Sequence, residues 1–362
     1  MVEPLFFFGA GASRPFDIPT MKEMVTQFSG ELSENKSDGI NDEVKLYDDV
    51  ESILRKEFGT VDLESIFTVI DAIASGKTFR EVGYFPTYLA VRMNSRSMLD
   101  PPSQEIQATA RRLRGRFESF VKRVCWVKPD KLKTVLNTYL PFLNDVFSVL
   151  GGNTAVFRHE GANYSYNPYW NFFTTNYDNA LEVFWRVGIR QTELNTGFQY
   201  EPSTKSERWN ASAILQQNLR LVKLHGSVTW WKEQGTGAIV EKDQPPDITY
   251  VPRKFGEQII LYPIQQKDTL VPPYFDMFYA FRQALEQTKK WIVIGYSFAD
   301  EIIRAMLARA STLDTILVLV HPDNDIVKKI ESEPGWQGKI RHIQARFGED
   351  STNKLVAQNL RS

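Results

Sequence analysis

Four short apolar runs stand out along the chain: Leu5–Phe8, Asn171–Thr175, Trp291–Gly295 and Thr315–Val320. Each is rich in aromatic or β-branched residues and is followed closely by Gly, Asn or His-Pro. Their apolarity is continuous rather than alternating, which predicts strands buried on both faces, as in a parallel sheet. Leu219–Leu224 is a fifth candidate strand. Between the runs the period becomes helical. Met21, Met24, Val25 and Phe28 keep helix spacing after Pro19-Thr20. Leu181, Phe184 and Trp185 do so after Asp178-Asn179, with Gly188 placed to stop the helix. Met277, Phe278, Phe281 and Leu285 lead into the Trp291 run, and Ile302, Ile303, Met306 and Leu307 follow it. Strands alternating with helices in this way predict an α/β fold, a Rossmann-like doubly wound parallel sheet.

The alternation breaks between about residues 30 and 165. Gly30–Val50 is polar and reads as loop. Leu63, Ile66, Phe67, Ile70 and Ile73 form one apolar helix stripe. Gln104–Val127 and Lys131–Leu150 read as two further helices, the second with Pro141 as a candidate kink. The expected organisation is a Rossmann-type domain over 1–30 and 165–362 with a helical insertion over 31–164. Segment 227–260 holds Gly235, Gly237, Pro245-Pro246 and Pro252, and reads as irregular with room for a hairpin.

Composition narrows the partners. The 362 residues are 42% hydrophobic and 24% charged, enough for one large domain with an insertion or for two domains. A formal net charge of −1 supplies no global field toward nucleic acid or an acidic membrane. The basic run Arg111, Arg112, Arg114, Arg116, Lys122 and Arg123, with Glu118 nearby, reads as a solvated helix face, so direct nucleic-acid contact is not expected. One cysteine, Cys125, excludes an intrachain disulfide and a cysteine-rich zinc module, and fits a reducing setting. No lysine or arginine precedes the Leu5–Phe8 run, which is too short for a signal h-region, and no stretch approaches the ~18 apolar residues of a membrane span. A cytoplasmic location is expected.

The candidate chemistry sits where the apolar runs end. Leu5-Phe6-Phe7-Phe8-Gly9-Ala10-Gly11-Ala12-Ser13 is strand, glycine turn, then hydroxyl. Such a turn admits the close approach of a pyrophosphate to backbone amides, or serves only for tight packing. It is neither the dehydrogenase fingerprint, because Arg14 stands at the third glycine, nor a Walker loop, because no Gly-Lys-Ser/Thr follows. Thr174-Thr175-Asn176-Tyr177-Asp178 places Asn176 and Asp178 at a strand's carboxyl end, where open sheets bind ligands; Asp178 or Asn179 also suits a helix N-cap. Leu224-His225-Gly226-Ser227 offers His225 as a general base with backbone room beside it, or as a structural histidine. Gly295-Tyr296-Ser297-Phe298-Ala299-Asp300 offers a second phosphate or ribose site through Ser297, or a helix cap at Ser297 or Asp300. His321, in Val320-His321-Pro322-Asp323, is placed to line an adenosine pocket.

In order and content these clusters resemble the SIR2-like family, the prokaryotic branch related to sirtuins. Gly9-Ala10-Gly11-Ala12-Ser13 with Ile18-Pro19 is similar to the family's first glycine motif. Thr175-Asn176-Tyr177-Asp178 is similar to the Gln-Asn-Ile-Asp motif, Leu224-His225-Gly226-Ser227 to the catalytic His-Gly motif, and Gly295-Tyr296-Ser297 to the Gly-Thr-Ser segment. The resemblance covers about 1–30 and 165–325. It implies that NAD+ is bound and cleaved at the nicotinamide–ribose bond, with Asn176 and His225 catalytic. Gly9, Ala10, Gly11 and Ser13 would hold the pyrophosphate, Asp178 the nicotinamide amide, and Gly295, Ser297 and His321 the adenosine side. No metal is expected. The family implies NAD+ hydrolysis by an antiphage-defence effector, acting as a homo-oligomer or with a HerA-type ATPase as sensor partner. Its alternatives are an NAD-dependent protein deacylase and a non-enzymatic nucleotide-sensing module. The chain departs from sirtuins in lacking the four zinc cysteines, in Arg14-Pro15-Phe16-Asp17 after the first motif, and in Thr20-Met21 where sirtuins have Phe-Arg.

Overall fold

The predicted runs become neighbours in one sheet. A computed structural model describes residues 4–34, 41–59, 61, 63–76, 102–151, 155–159, 161–189, 194–216, 219–242, 255–260, 272–349 and 351–361. Six parallel strands, β1 (Leu5–Phe8), β2 (Asn171–Thr174), β3 (Arg220–Lys223), β4 (Lys290–Ile294), β5 (Ile316–Val320) and β6 (Lys339–Ile343), lie in the order β6-β5-β4-β1-β2-β3. The chain runs outward from β1 to β3 on one side, then returns to β4 on the other. This is the doubly wound Rossmann order, with its topological switch point between β1 and β4. Phe8 pairs in register with Thr174 on one side and Ile294 on the other, so these strands end level with one another.

Both faces of the sheet are covered, which explains the unbroken apolar runs. Leu5, Phe7, Phe173, Val293 and Leu319 pack with Met277 and Phe281 of helix Tyr274–Gln287 and with Ile303 and Leu307 of helix Glu301–Ala310. Phe6 and Phe8 point the other way, against Tyr139 and Phe142 of helix Leu132–Leu150 and against Phe347. A strand alternates its side chains, so an all-phenylalanine run feeds two cores at once. The edge strand β6 is half-exposed, and its mixed Lys339-Ile340-Arg341-His342-Ile343 carries no continuous apolar signal.

The chain divides into two compact units, one of Met1–Ile18, Cys125–Leu261 and Asp268–Ser362, the other of Pro19–Val124 and Tyr262–Lys267. These boundaries differ from 30/31 and 164/165. Helix Leu132–Leu150 lies in the larger unit because its aromatic stripe covers the Phe6/Phe8 face of β1. A hairpin of Ala155–His159 and Ala162–Tyr166 also lies in that unit. The Gly30–Val50 expectation of loop is corrected: helices Met21–Glu34 and Asn41–Phe58 occupy most of it. Val44, Tyr47, Val50 and Leu54 are buried at helix spacing, a sparse stripe hidden among acidic residues. Segment 227–260 is also more ordered than expected. Strands Gly226–Glu233, Ile239–Glu241 and Phe255–Ile260 join Phe198–Glu201 and Ser206–Trp209 in an antiparallel sheet; Pro245, Pro246 and Pro252 lie outside the described residues.

The smaller unit is helical, with Phe28, Tyr47, Phe67, Phe117 and Phe120 clustered at its centre. Its basic run is partly ion-paired. Arg112 meets Glu43 at 2.6 Å, Arg114 meets Asp71 at 3.0 Å and Glu118 at 2.8 Å, and Arg123 pairs with Glu31. Among the described residues no helix is long and apolar enough to cross a membrane.

Candidate active site at the sheet switch point

The end of β1 and the end of β4 are built into each other. Gly9 N–H donates to the Ile294 carbonyl and Gly11 N–H to the Gly295 carbonyl, each at 2.9 Å, and Ala12 N–H closes back on Gly9 O at 2.9 Å. A Cβ on Gly9 would lie 2.5 Å from Tyr296 Cα; one on Gly295, where φ is +64°, would lie 2.4 Å from Ala12 N. These glycines are therefore required by the contact between the two turns. The amides of Gly9, Gly11 and Ala12 are bonded within the protein. Ala10 opens the short helix Ala10–Phe16, which carries Ser13 inward.

Ser13 is the hub of a buried network. Its hydroxyl donates to Asp178 Oδ2 at 2.7 Å and accepts from Asn176 Nδ2 at 2.9 Å. The same Asn176 nitrogen donates to Gly9 O at 2.9 Å. Two acceptors on one nitrogen fix the orientation of the amide. Asn176 Oδ1 is enclosed and has no donor among the described residues. Thr174 shapes the turn, donating its hydroxyl to Phe8 O at 2.8 Å and accepting the Asn176 amide at 2.9 Å. Asp178 Oδ1 accepts Ala180 N–H at 3.0 Å, so both carboxylate oxygens have protein partners. Asp178 thus holds both Ser13 and the first amide of helix Ala180–Phe184, whose N-cap position is Asn179.

His225 follows β3, where Gly226, at φ +84°, turns the chain into the next strand. Its Nε2 lies 3.1 Å from Asp300 Oδ2, and both side chains are buried. Asp300 Oδ1 meanwhile accepts Ile302 and Ile303 N–H at 2.9 and 3.2 Å, as the N-cap of helix Glu301–Ala310. The predicted cap is therefore present, and its second oxygen serves the histidine. Ser297 is exposed, and its carbonyl accepts from Lys329 Nζ at 3.2 Å. His321, at the end of β5, accepts Asp323 N–H on Nδ1 at 3.1 Å, and burial lowers its pKa. The structure thus joins Gly9, Gly11, Ser13, Asn176, Asp178 and Gly295 directly, joins His225 to Asp300, and sets Ser297 and His321 at the β4 and β5 ends.

Lys223 was missed in the sequence. It is 1% exposed, lies 2.7 Å from Glu182 Oε1, and donates to the carbonyls of Tyr177 and Asp178. It fastens the Asn176–Asp178 turn from beneath. A lysine inside the otherwise apolar Leu219–Leu224 run was the available signal. Among the described residues no group of His, Cys, Asp or Glu is arranged to hold a metal.

Residues 171–333 match the family model described as SIR2-like domain. The match spans Asn176, Asp178, His225, Gly295, Ser297, Asp300 and His321, and begins after the Gly9 turn. No curated protein matches. Similar solved structures include a mutant Sir2 homologue in complex with 2'-O-acetyl ADP-ribose, at 12% identity and TM-score 0.47, covering 99% of this chain and 92% of that one. Another is a Sir2 homologue–NAD complex, at 13% identity and TM-score 0.42, covering 99% and 90%.

Proposed function

We propose that the protein is an NAD+ glycohydrolase, cleaving the nicotinamide–ribose bond to give nicotinamide and ADP-ribose. The observation that carries this reading is Asn176 Oδ1, a buried acceptor without a donor among the described residues, at the carboxyl end of β2. An unsatisfied buried acceptor costs ~1–3 kcal/mol, so a hydroxyl or water that donates to it is held with corresponding strength. The proposed occupant is the ribose or the attacking water. The SIR2-like match over this region supports the choice of NAD+.

In the proposed reaction water adds its oxygen to the ribose C1′ as the C1′–N bond breaks. The bond's electron pair leaves with nicotinamide, neutralising its ring, and the water's proton passes to His225. The chain's contribution is placement and modest proton transfer, with no metal step. Asp178 acts here chiefly through Ser13, since both its oxygens are engaged. The phosphates would be met by whatever the Ala10–Ser13 segment still presents, and Ser297 and His321 would flank the adenosine half. An antiphage role, self-association and a HerA-type partner belong to the same proposal and rest on the family resemblance.

Incubation of the purified chain with NAD+ alone, with separation of the products, tests the reaction. Nicotinamide and ADP-ribose in equal amounts are expected. Nicotinamide release only when an acyl-lysine peptide is added would make the protein a deacylase, and binding without turnover would make it a nucleotide sensor.

A further inference from the structure

We propose that Asp300 is a positioning residue for His225, fixing the tautomer of its imidazole from the same carboxylate that starts helix Glu301–Ala310. The inference rests on reading His225 as the general base of NAD+ cleavage. His225 follows β3 and Asp300 follows β4, and these strands are separated by β1 and β2. Three strand spacings amount to about 14 Å, so the two loops must reach over the ends of β1 and β2 to meet. They meet at 3.1 Å, Nε2 to Oδ2.

The loop that delivers Asp300 is held at several points. Phe298 takes a left-handed backbone, φ 52°, with its ring fully buried. Its carbonyl accepts from Arg304 Nη1 at 2.7 Å, and Arg304 N–H donates to Asp300 O at 3.0 Å. A buried non-glycine residue in that conformation persists only where its surroundings over-determine it. Asp300 Oδ1 is anchored by two backbone amides, which aims Oδ2 at the histidine. A carboxylate only accepts, so the neutral ring carries its proton on Nε2 and its basic lone pair on Nδ1. As the ring takes up a proton, the adjacent carboxylate stabilises the imidazolium.

Asp300→Asn separates this role from helix capping. Asparagine caps as well as aspartate, so its oxygen keeps the Ile302 and Ile303 amides. Its nitrogen then stands where Oδ2 stood and donates to Nε2, which drives the ring proton to Nδ1. The chain has four histidines, so ring nitrogen-15 spectra are tractable, and the signal lost in His225→Gln identifies the residue. The expected result is an Nε2–H tautomer in the wild type and Nδ1–H in Asp300→Asn. Melting temperature should be nearly unchanged, and kcat for NAD+ should fall ~10²–10⁴-fold while KM moves little. An unchanged tautomer, or unchanged kcat with the fold intact, overturns the proposal. If the wild type does not cleave NAD+, the proposed reaction fails, and the ring spectra alone decide whether Asp300 sets the tautomer.

Discussion

Ser13 Oγ stands between Asn176 and Asp178, accepting from the amide of one at 2.9 Å and donating to the carboxylate of the other at 2.7 Å. One hydroxyl therefore ties the loop after β1 to the loop after β2. Removing it in Ser13→Ala leaves a buried donor and a buried acceptor each short of a partner. Such losses cost ~1–3 kcal/mol apiece. The expected outcome is a folded but destabilised protein with reduced NAD+ turnover, read by thermal melting and nicotinamide release. An unchanged melt and unchanged turnover would remove Ser13 from the site.

Lys223 and Glu182 form the next expected effect. Lys223→Met leaves a carboxylate enclosed without its cation and frees the carbonyls of Tyr177 and Asp178. Breaking a buried pair from one side typically costs ~3–5 kcal/mol, whereas replacing both partners costs far less. Lys223→Met should therefore be more damaging in chemical denaturation than the double variant with Glu182→Gln. Equal destabilisation by the two would show that the charge pairing is unimportant.

Gly9 and Gly295 face each other's turns closely enough that neither tolerates a methyl group. Gly9→Ala or Gly295→Ala forces backbone against backbone, where no flexible side chain can yield. Overpacking of this kind costs ~1–3 kcal/mol or more, and Gly295 adds the strain of its positive φ. Both variants should lower the denaturation midpoint whether or not NAD+ is present. Loss of nucleotide binding with wild-type stability would point instead to a direct phosphate role.

Glu241 gives the fold a pH dependence. Burial, reinforced by the Glu182 charge, raises its pKa from the ordinary 4.5 to about 7, against the lowering by Lys223 and by hydrogen bonds from Thr196 and Trp230. A raised folded-state pKa means that the native protein holds the proton more tightly than the unfolded chain. The stabilising contribution is present below the unfolded value and is lost as pH rises from 4.5 to about 7. Glu241→Gln should keep its bonds to Thr229 and Trp230 while removing this loss. Each pH unit crossed within that window is worth at most roughly 1.4 kcal/mol. Thermal melts at about pH 5 and about pH 8 compare the two proteins over this window. The variant should gain on the wild type at the higher pH, and parallel behaviour would refute the assignment.

Much of the fold was legible in the chain because both sheet faces are buried. Leu5–Phe8, Trp291–Gly295 and Thr315–Val320 declare themselves as strands, and ligand chemistry collects at their carboxyl ends. Strand β6 was not legible, since an edge strand with one wet face has no continuous run. Helix Asn41–Phe58 was hidden by its acidic surface. Helix Leu132–Leu150 was visible as a helix but not as a sheet-covering one, because which core an apolar stripe joins is decided by tertiary packing. At the strand ends, local motifs singled out Asn176 and His225 as candidates. The link from His225 to Asp300 spans 75 positions and depends on two loops meeting over intervening strands. Asp300 was readable only as a cap. The glycine turn's pattern signalled close approach, and in the structure the turn at Gly295 and Tyr296 approaches it.

Asn176 and His225, at the ends of β2 and β3, are the two side chains to which NAD+ cleavage is assigned. The direct measurement is the rate of NAD+ loss and nicotinamide release by the wild type, Asn176→Ala and His225→Ala at matched folded concentration. The wild type should convert NAD+ to nicotinamide and ADP-ribose, and each variant should fall by ~10²–10⁴-fold while remaining folded. Equal NAD+ loss by all three proteins, or none by the wild type, contradicts the assignment.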